Sequence, residues 1–85
     1  MIIWDEEKNI KLKIERNISF EAISETILNK KYLDIMENPS NPHLNIFVVE
    51  INKYIHIVPF ILDDASNIIL KTAYPSRKLN KKYRG

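Results

Sequence analysis

The sequence predicts an α+β domain in which two helices precede an antiparallel meander. Three observations carry this. The first third holds two segments with helix caps and helical apolar spacing. From Tyr32 onward the chain changes to β-rich runs broken by turn residues. The last stretch, residues 67–84, begins as a strand and ends as a short basic segment. The expected order is β-α-α-β-β-β-β followed by a short basic C-terminal helix, with both helices on one face of an antiparallel sheet. Eighty-five residues without an internal repeat or linker make residues 1–85 one domain with a single core.

Residues 2–4 read as a short first strand. Asp5 is placed to cap a helix running to about Arg16, with Glu6 and Glu7 at its positive end and Lys13 and Arg16 at its negative end. Trp4, Ile10 and Ile14 mark its expected core face, with Leu12 at the margin. Asn17 stands where a left-handed residue often ends a helix. Ser19 caps a second helix to about Lys30. Phe20, Ile23, Ile27 and Leu28 form its buried stripe, and Glu21 and Glu25 lie on the other side.

A strand is expected over residues 32–36 and a loop over 37–43, which holds two prolines. Residues 44–51 and 54–62 form a hairpin around an Asn52-Lys53 turn. Pro59 marks a bulge or an edge. Residues 63–66 turn the chain into a last strand at 67–74, which itself turns at Pro75-Ser76. Alternation puts Tyr54, His56, Val58 and Phe60 on one side of the 54–62 strand and Ile55, Ile57 and Ile61 on the other. The purely aliphatic side is expected to meet the helices. The other face, with the basic tail, is then the expected binding surface.

Charge is polarised along the chain. Residues 67–84 carry Lys71, Arg77, Lys78, Lys81, Lys82 and Arg84 and no acid, whereas residues 1–66 carry seven basic and eleven acidic side chains, a net −4. A cationic block on a core strand is an electrostatic footprint for phosphate. A solvated tail would carry the same charges, but Tyr74, Leu79 and Tyr83 favour docking.

Several function classes drop out. Cysteine is absent, which excludes disulfides and thiolate metal sites and fits a reducing cytoplasm. No apolar run is long enough to span a bilayer, and the acidic residues after Trp4 are wrong for a signal peptide. The only glycine is Gly85, so a glycine-rich nucleotide loop is excluded. No metal or cofactor site suggests itself.

What remains suits one cofactor-free reaction, RNA cleavage by its own 2′-hydroxyl. Arg77, Lys71, Tyr83 and His56 are the candidate catalytic residues. Lys78, Lys81, Lys82, Arg84, Arg16 and Tyr74 are the candidate RNA-binding residues. Each has a plainer reading beside it. Arg16 suits a helix C-terminus, His56 a hydrogen-bonded strand position, and Tyr74 and Tyr83 the packing of the tail.

Trp4-Asp5 with Lys8-Asn9, then Ile18-Ser19-Phe20-Glu21-Ala22, resemble the start of BrnT-type toxins, small ribonucleases of RelE-like fold. Residues 69–83 are similar to that family's last strand and basic C-terminal segment. The family's Lys-His-Gly turn is Glu15-Arg16-Asn17 here, its strand-end arginine falls on Tyr74, and the acid of its final helix falls on Asn80. Arg77, three residues past Tyr74, is the substitute guanidinium. The resemblance implies a cytoplasmic toxin of a type II toxin–antitoxin pair, a metal-independent endoribonuclease that arrests growth. It also implies a cognate antitoxin, typically with a ribbon-helix-helix DNA-binding part, through which alone the toxin would reach operator DNA. Two rivals use the same basic end without chemistry: a nucleic-acid-binding or regulatory protein, and an interaction protein that docks on an acidic partner.

Overall fold

Local signals act where the sequence places them. The computed structural model describes residues 1–38, 40–41 and 43–85. The Asp5 carboxylate accepts from the Glu7 N–H at 2.9 Å and starts α1 (Glu6–Arg16). Asn17, at φ 54°, ends it in the left-handed conformation. The Ser19 hydroxyl accepts from the Ala22 N–H at 3.1 Å and starts α2 (Phe20–Leu28). The second helix stops two residues before the expected Lys30.

A buried asparagine joins the two helices. Asn9 is fully buried, and its Oδ1 accepts from the Phe20 N–H at 2.8 Å. Its Nδ2 donates to Glu21 at 2.7 Å and to Glu6 at 3.2 Å. That use of Asn9 turns α1 about its axis relative to expectation. Leu12, one helical turn on, enters the core, while Ile10 and Ile14 face outward at 50% and 79% exposure. The expected core face of α1 therefore fails at Ile10 and Ile14, although Trp4 does pack against the core, because the buried polar anchor and not the apolar spacing sets the rotation. Leu28 is also exposed, whereas Phe20, Ile23 and Ile27 are buried.

Among the described residues the sheet has six strands and is mixed. These are β1 (Ile2–Ile3), β2 (Asp34–Glu37), β3 (Asn45–Ile51), β4 (Tyr54–Leu62), β5 (Ile68–Leu70) and β6 (Tyr74–Pro75). The spatial order is β1-β5-β4-β3-β2, with β6 also on β4. The expected all-antiparallel sheet is corrected by β1, which runs parallel to β5 with Ile2 opposite Ile68. The expected strand at 32–36 forms later, over β2. Pro39 and Pro42 of the expected 37–43 loop lie outside the described residues. The β3–β4 turn is as expected, with Asn52 and Lys53 both at positive φ.

The expected last strand is broken in two, and Pro59 accounts for the break. It sits inside the sheet, opposite Ile46 of β3, so it is not an edge residue. Its carbonyl accepts from the Lys71 N–H at 2.9 Å, so its missing N–H would have pointed to the same neighbour. β5 pairs with Phe60–Leu62 and β6 with His56 and Ile57, leaving Val58 and Pro59 opposite the gap. Lys71, Thr72 and Ala73 fill that gap.

The two faces of β4 are the reverse of the expectation. Val58 and Phe60 join Phe47, Val49 and Leu70 in the core under α1 and α2. Ile55 and Val48, both fully buried, lie on the opposite face. There α3 (Arg77–Arg84) crosses the sheet, so that face is not an open binding surface. Both faces are apolar enough to be covered, and alternation alone does not say which helix covers which.

Candidate functional site

The docking of α3 accounts for two of the anticipated tail residues, Tyr83 and Arg84. Ser76 caps the helix, its hydroxyl accepting from the Leu79 N–H at 3.2 Å. The Asn80 Oδ1 accepts from the Ile55 N–H at 3.0 Å, satisfying β4 where β6 has ended. Tyr83 donates its hydroxyl proton to Asp34 on β2 at 3.4 Å, and Arg84 pairs with Glu50 on β3. The Lys82 ammonium lies 5.5 Å from the Tyr83 ring centroid. Tyr83 and Arg84 thus hold the tail to the protein's own acids. Arg77, Lys78, Lys81 and Lys82 are exposed along the same helix.

His56 occupies a different place from the one expected. It lies on the face that meets α1 and α2 and is only 6% exposed. Its Nδ1 is 2.9 Å from the Tyr54 carbonyl, which can only accept, so Nδ1 carries the proton. The Tyr54 ring meets the imidazole edge-on at 6.0 Å.

A second cationic cluster stands apart from α3. A groove of about 280 Å³ is lined by Lys8, Lys11, Leu12, Glu15 and Arg16 of α1 and by Lys71 and Thr72 from the β5–β6 gap. The α1 positions fall three, four, seven and eight residues after Lys8, the spacing of one helix face. Leu12 anchors that face in the core, and the break opposite Pro59 brings Lys71 up to it. Lys8, Lys11, Arg16 and Lys71 are all exposed, and none belongs to an ion pair among the described residues. Four cations therefore face one carboxylate, Glu15.

The groove gathers two of the anticipated residues, Arg16 and Lys71. Its lining includes none of Arg77, Lys78, Lys81, Lys82, Tyr83, Arg84, His56 or Tyr74. Tyr74 lies beside Ile57 on β4, 38% exposed, on the chain between Lys71 and Arg77. Lys8, Lys11 and Glu15 were missed as site residues. Their signal was the shared face with Arg16, which helical spacing makes visible once Arg16 is suspected.

Chemically the groove lining is rich in cationic hydrogen-bond donors. The Arg16 guanidinium offers a planar fork and the three ammonium groups are compact point charges, all suited to phosphate oxygens. No cluster of three or more His, Cys, Asp or Glu side chains suited to a metal occurs among the described residues. No helix there is long and apolar enough to cross a membrane. Comparison with protein-family models, curated proteins and solved structures finds no match to this chain.

Proposed function

We propose that the chain is the toxin of a type II toxin–antitoxin pair, a RelE-like, metal-independent endoribonuclease acting in the cytoplasm. The observation that carries this reading is the groove in which Lys8, Lys11, Arg16 and Lys71 converge without acidic partners of their own. The resemblance of the opening and closing segments to BrnT-type toxins supplies the reaction class. In this reading the scissile phosphate sits in the groove. Arg16 grips two of its oxygens, and the lysines offset the charge that grows on the pentavalent phosphorus. Six residues of chain keep Lys71 within about 20 Å of Arg77, a span of a few nucleotides. The RNA strand then runs from the groove past the exposed Tyr74 ring, on which a base stacks, to Arg77, Lys78, Lys81 and Lys82. The antitoxin neutralises the toxin by laying an acidic segment over the groove, and its ribbon-helix-helix part binds operator DNA.

Induced expression in bacteria tests the reading, with growth followed and total RNA run on a gel. Wild type is expected to arrest growth and degrade RNA, and the Arg16→Ala/Lys71→Ala pair to do neither. Arg77→Ala is expected to weaken both effects only in part. If the groove pair is as toxic as wild type while Arg77→Ala is harmless, the site lies on α3 and the groove assignment falls.

A second reading, a non-catalytic nucleic-acid binder, has one observation in its favour. His56 is buried against Tyr54 and supplies no proton-transfer group to the groove. A binder tolerates Arg16→Lys and loses affinity smoothly with salt. A nuclease loses most of its turnover on the same change, because a point charge does not replace a guanidinium fork.

A further inference from the structure

We propose that Glu15 is the general base of the groove, taking the proton from the attacking 2′-hydroxyl; this rests on the ribonuclease reading. Cyclising cleavage of RNA needs a group that accepts that proton and a group that gives one to the departing 5′-oxygen. The groove lining contains three ammonium groups and a guanidinium, which at neutral pH are donors only. Thr72 is too weak an acid or base for either task. Glu15 is the one proton acceptor of useful strength in the lining, and its carboxylate is in no ion pair among the described residues. The alternative acceptors are placed elsewhere. His56, the nearest rival by residue type, is buried with its Nδ1 on the Tyr54 carbonyl and is not in the groove lining.

The position on α1 also suits the role. Glu15 follows Lys11 by four residues and Lys8 by seven and adjoins Arg16, so one helix face carries both the acceptor and the phosphate-binding cations. A phosphate held by those cations brings its neighbouring ribose to the carboxylate. The step balances as follows. O2′ loses its proton to Glu15 and bonds to phosphorus, the P–O5′ bond breaks, and an ammonium from Lys8, Lys11 or Lys71 gives its proton to O5′. The products are a 2′,3′-cyclic phosphate and a 5′-hydroxyl end. Water then returns a proton to the lysine and removes one from Glu15.

The test uses the full chain and a short single-stranded RNA labelled at one end, with cleavage rate and affinity measured separately across pH. A non-cleavable RNA carrying 2′-deoxyribose serves for affinity. Glu15→Gln keeps the size and helix propensity of the residue. It is expected to bind RNA as tightly as wild type or more tightly, since a negative charge leaves a cationic groove. Its cleavage rate is expected to fall about 10²–10⁴-fold. Glu15→Ala with added formate is expected to recover part of the rate, which a merely structural role would not allow. If wild type cleaves and Glu15→Gln cleaves equally fast, Glu15 is not the base and the ribonuclease reading stands. If wild type binds RNA and never cleaves it, the ribonuclease reading falls and the base assignment falls with it. If Glu15→Gln loses affinity and rate together, Glu15 holds the groove in shape and the proposal is overturned.

Discussion

The α1–α2 side and the α3 side of the sheet are held by different physics. On the first, Phe20, Ile23, Ile27 and Leu12 bury their side chains against Phe47, Val58 and Phe60, and Asn9 ties the two helices with two hydrogen bonds, to the Phe20 N–H and the Glu21 carboxylate. On the second, Ile55 and Val48 are buried, but α3 has no buried residue of its own and its polar ties run through Asn80, Tyr83 and Arg84. The first side is welded and the second strapped. Apolar burial and a satisfied buried amide give a cooperative unit, whereas exposed polar contacts contribute little each and are lost one at a time. The groove belongs to the welded side through α1.

The sharpest way to break the contrast is Phe20→Ala. Phe20 is fully buried and lies beside Trp4, with ring centroids 5.9 Å apart, so the change should cost about 3–5 kcal/mol in urea denaturation. An 85-residue domain has little stability to spare, and the variant should be largely unfolded at 37 °C. A loss below 1 kcal/mol would show that the helix layer is not the stabilising one.

Asn9→Ala comes next. It strands the Phe20 N–H in a buried site and should cost about 1–3 kcal/mol by the same measurement. Because Asn9 lies on α1, the Lys8 and Lys11 positions should loosen with it, which on the proposed reading shows as weaker RNA binding at equal folded fraction.

On the strapped side, Asn80→Ala should cost about 1 kcal/mol, since water can reach much of α3 and replace the lost acceptor. Hydrogen exchange at Ile55 and along α3 should quicken, while that of α1 and α2 stays unchanged. Equal quickening in all three helices would show one cooperative unit and dissolve the distinction.

The smallest effect is pH-dependent. The Asn9 amide donating to Glu21, first, and then its own backbone N–H and Lys13 hold the Glu21 carboxyl below its ordinary value of 4.5, against some desolvation. A lowered value in the folded state means stability that is present above the unfolded value and lost as pH falls through the folded one. Wild type should therefore lose a small increment of stability below about pH 4.5, and Glu21→Gln should flatten that part of the curve. Asp63, lowered from 3.8 chiefly by the Asn67 side chain, acts in the same direction at lower pH, and its contribution should remain in the Glu21 variant.

Some of this was legible in the sequence, and the division follows the range of the interactions. The Asp5, Ser19 and Asn17 caps and the Asn52-Lys53 turn depend on neighbours a few residues away, and they formed where expected. Ile10 and Ile14 were misread because their spacing is helical either way, and only the distant Phe20 N–H shows that Asn9 must face inward. The faces of β4 were exchanged because Ile55 and Ile57 on one side and Val58 and Phe60 on the other are equally able to be buried. Lys71 was legible as a cation, but its partners Lys8 and Lys11 sit at the far end of the chain in a segment whose acids hid them in the local charge count.

The two-residue β1 carries a consequence for the order in which the protein is made. Among the described residues its only ladder partner is β5, Ile2 beside Ile68 and Ile3 beside Ile69, so both helices and the β3–β4 hairpin separate the two halves of that pairing. On a ribosome, the N-terminal end stays without its neighbour until β5 has left the exit tunnel, although α1, α2 and the β3–β4 hairpin can assemble earlier. Such a long-separation contact raises contact order and slows the closing step. Residues 67–84, which carry six of the thirteen basic side chains, thus also hold the strand that lets β1 find its place.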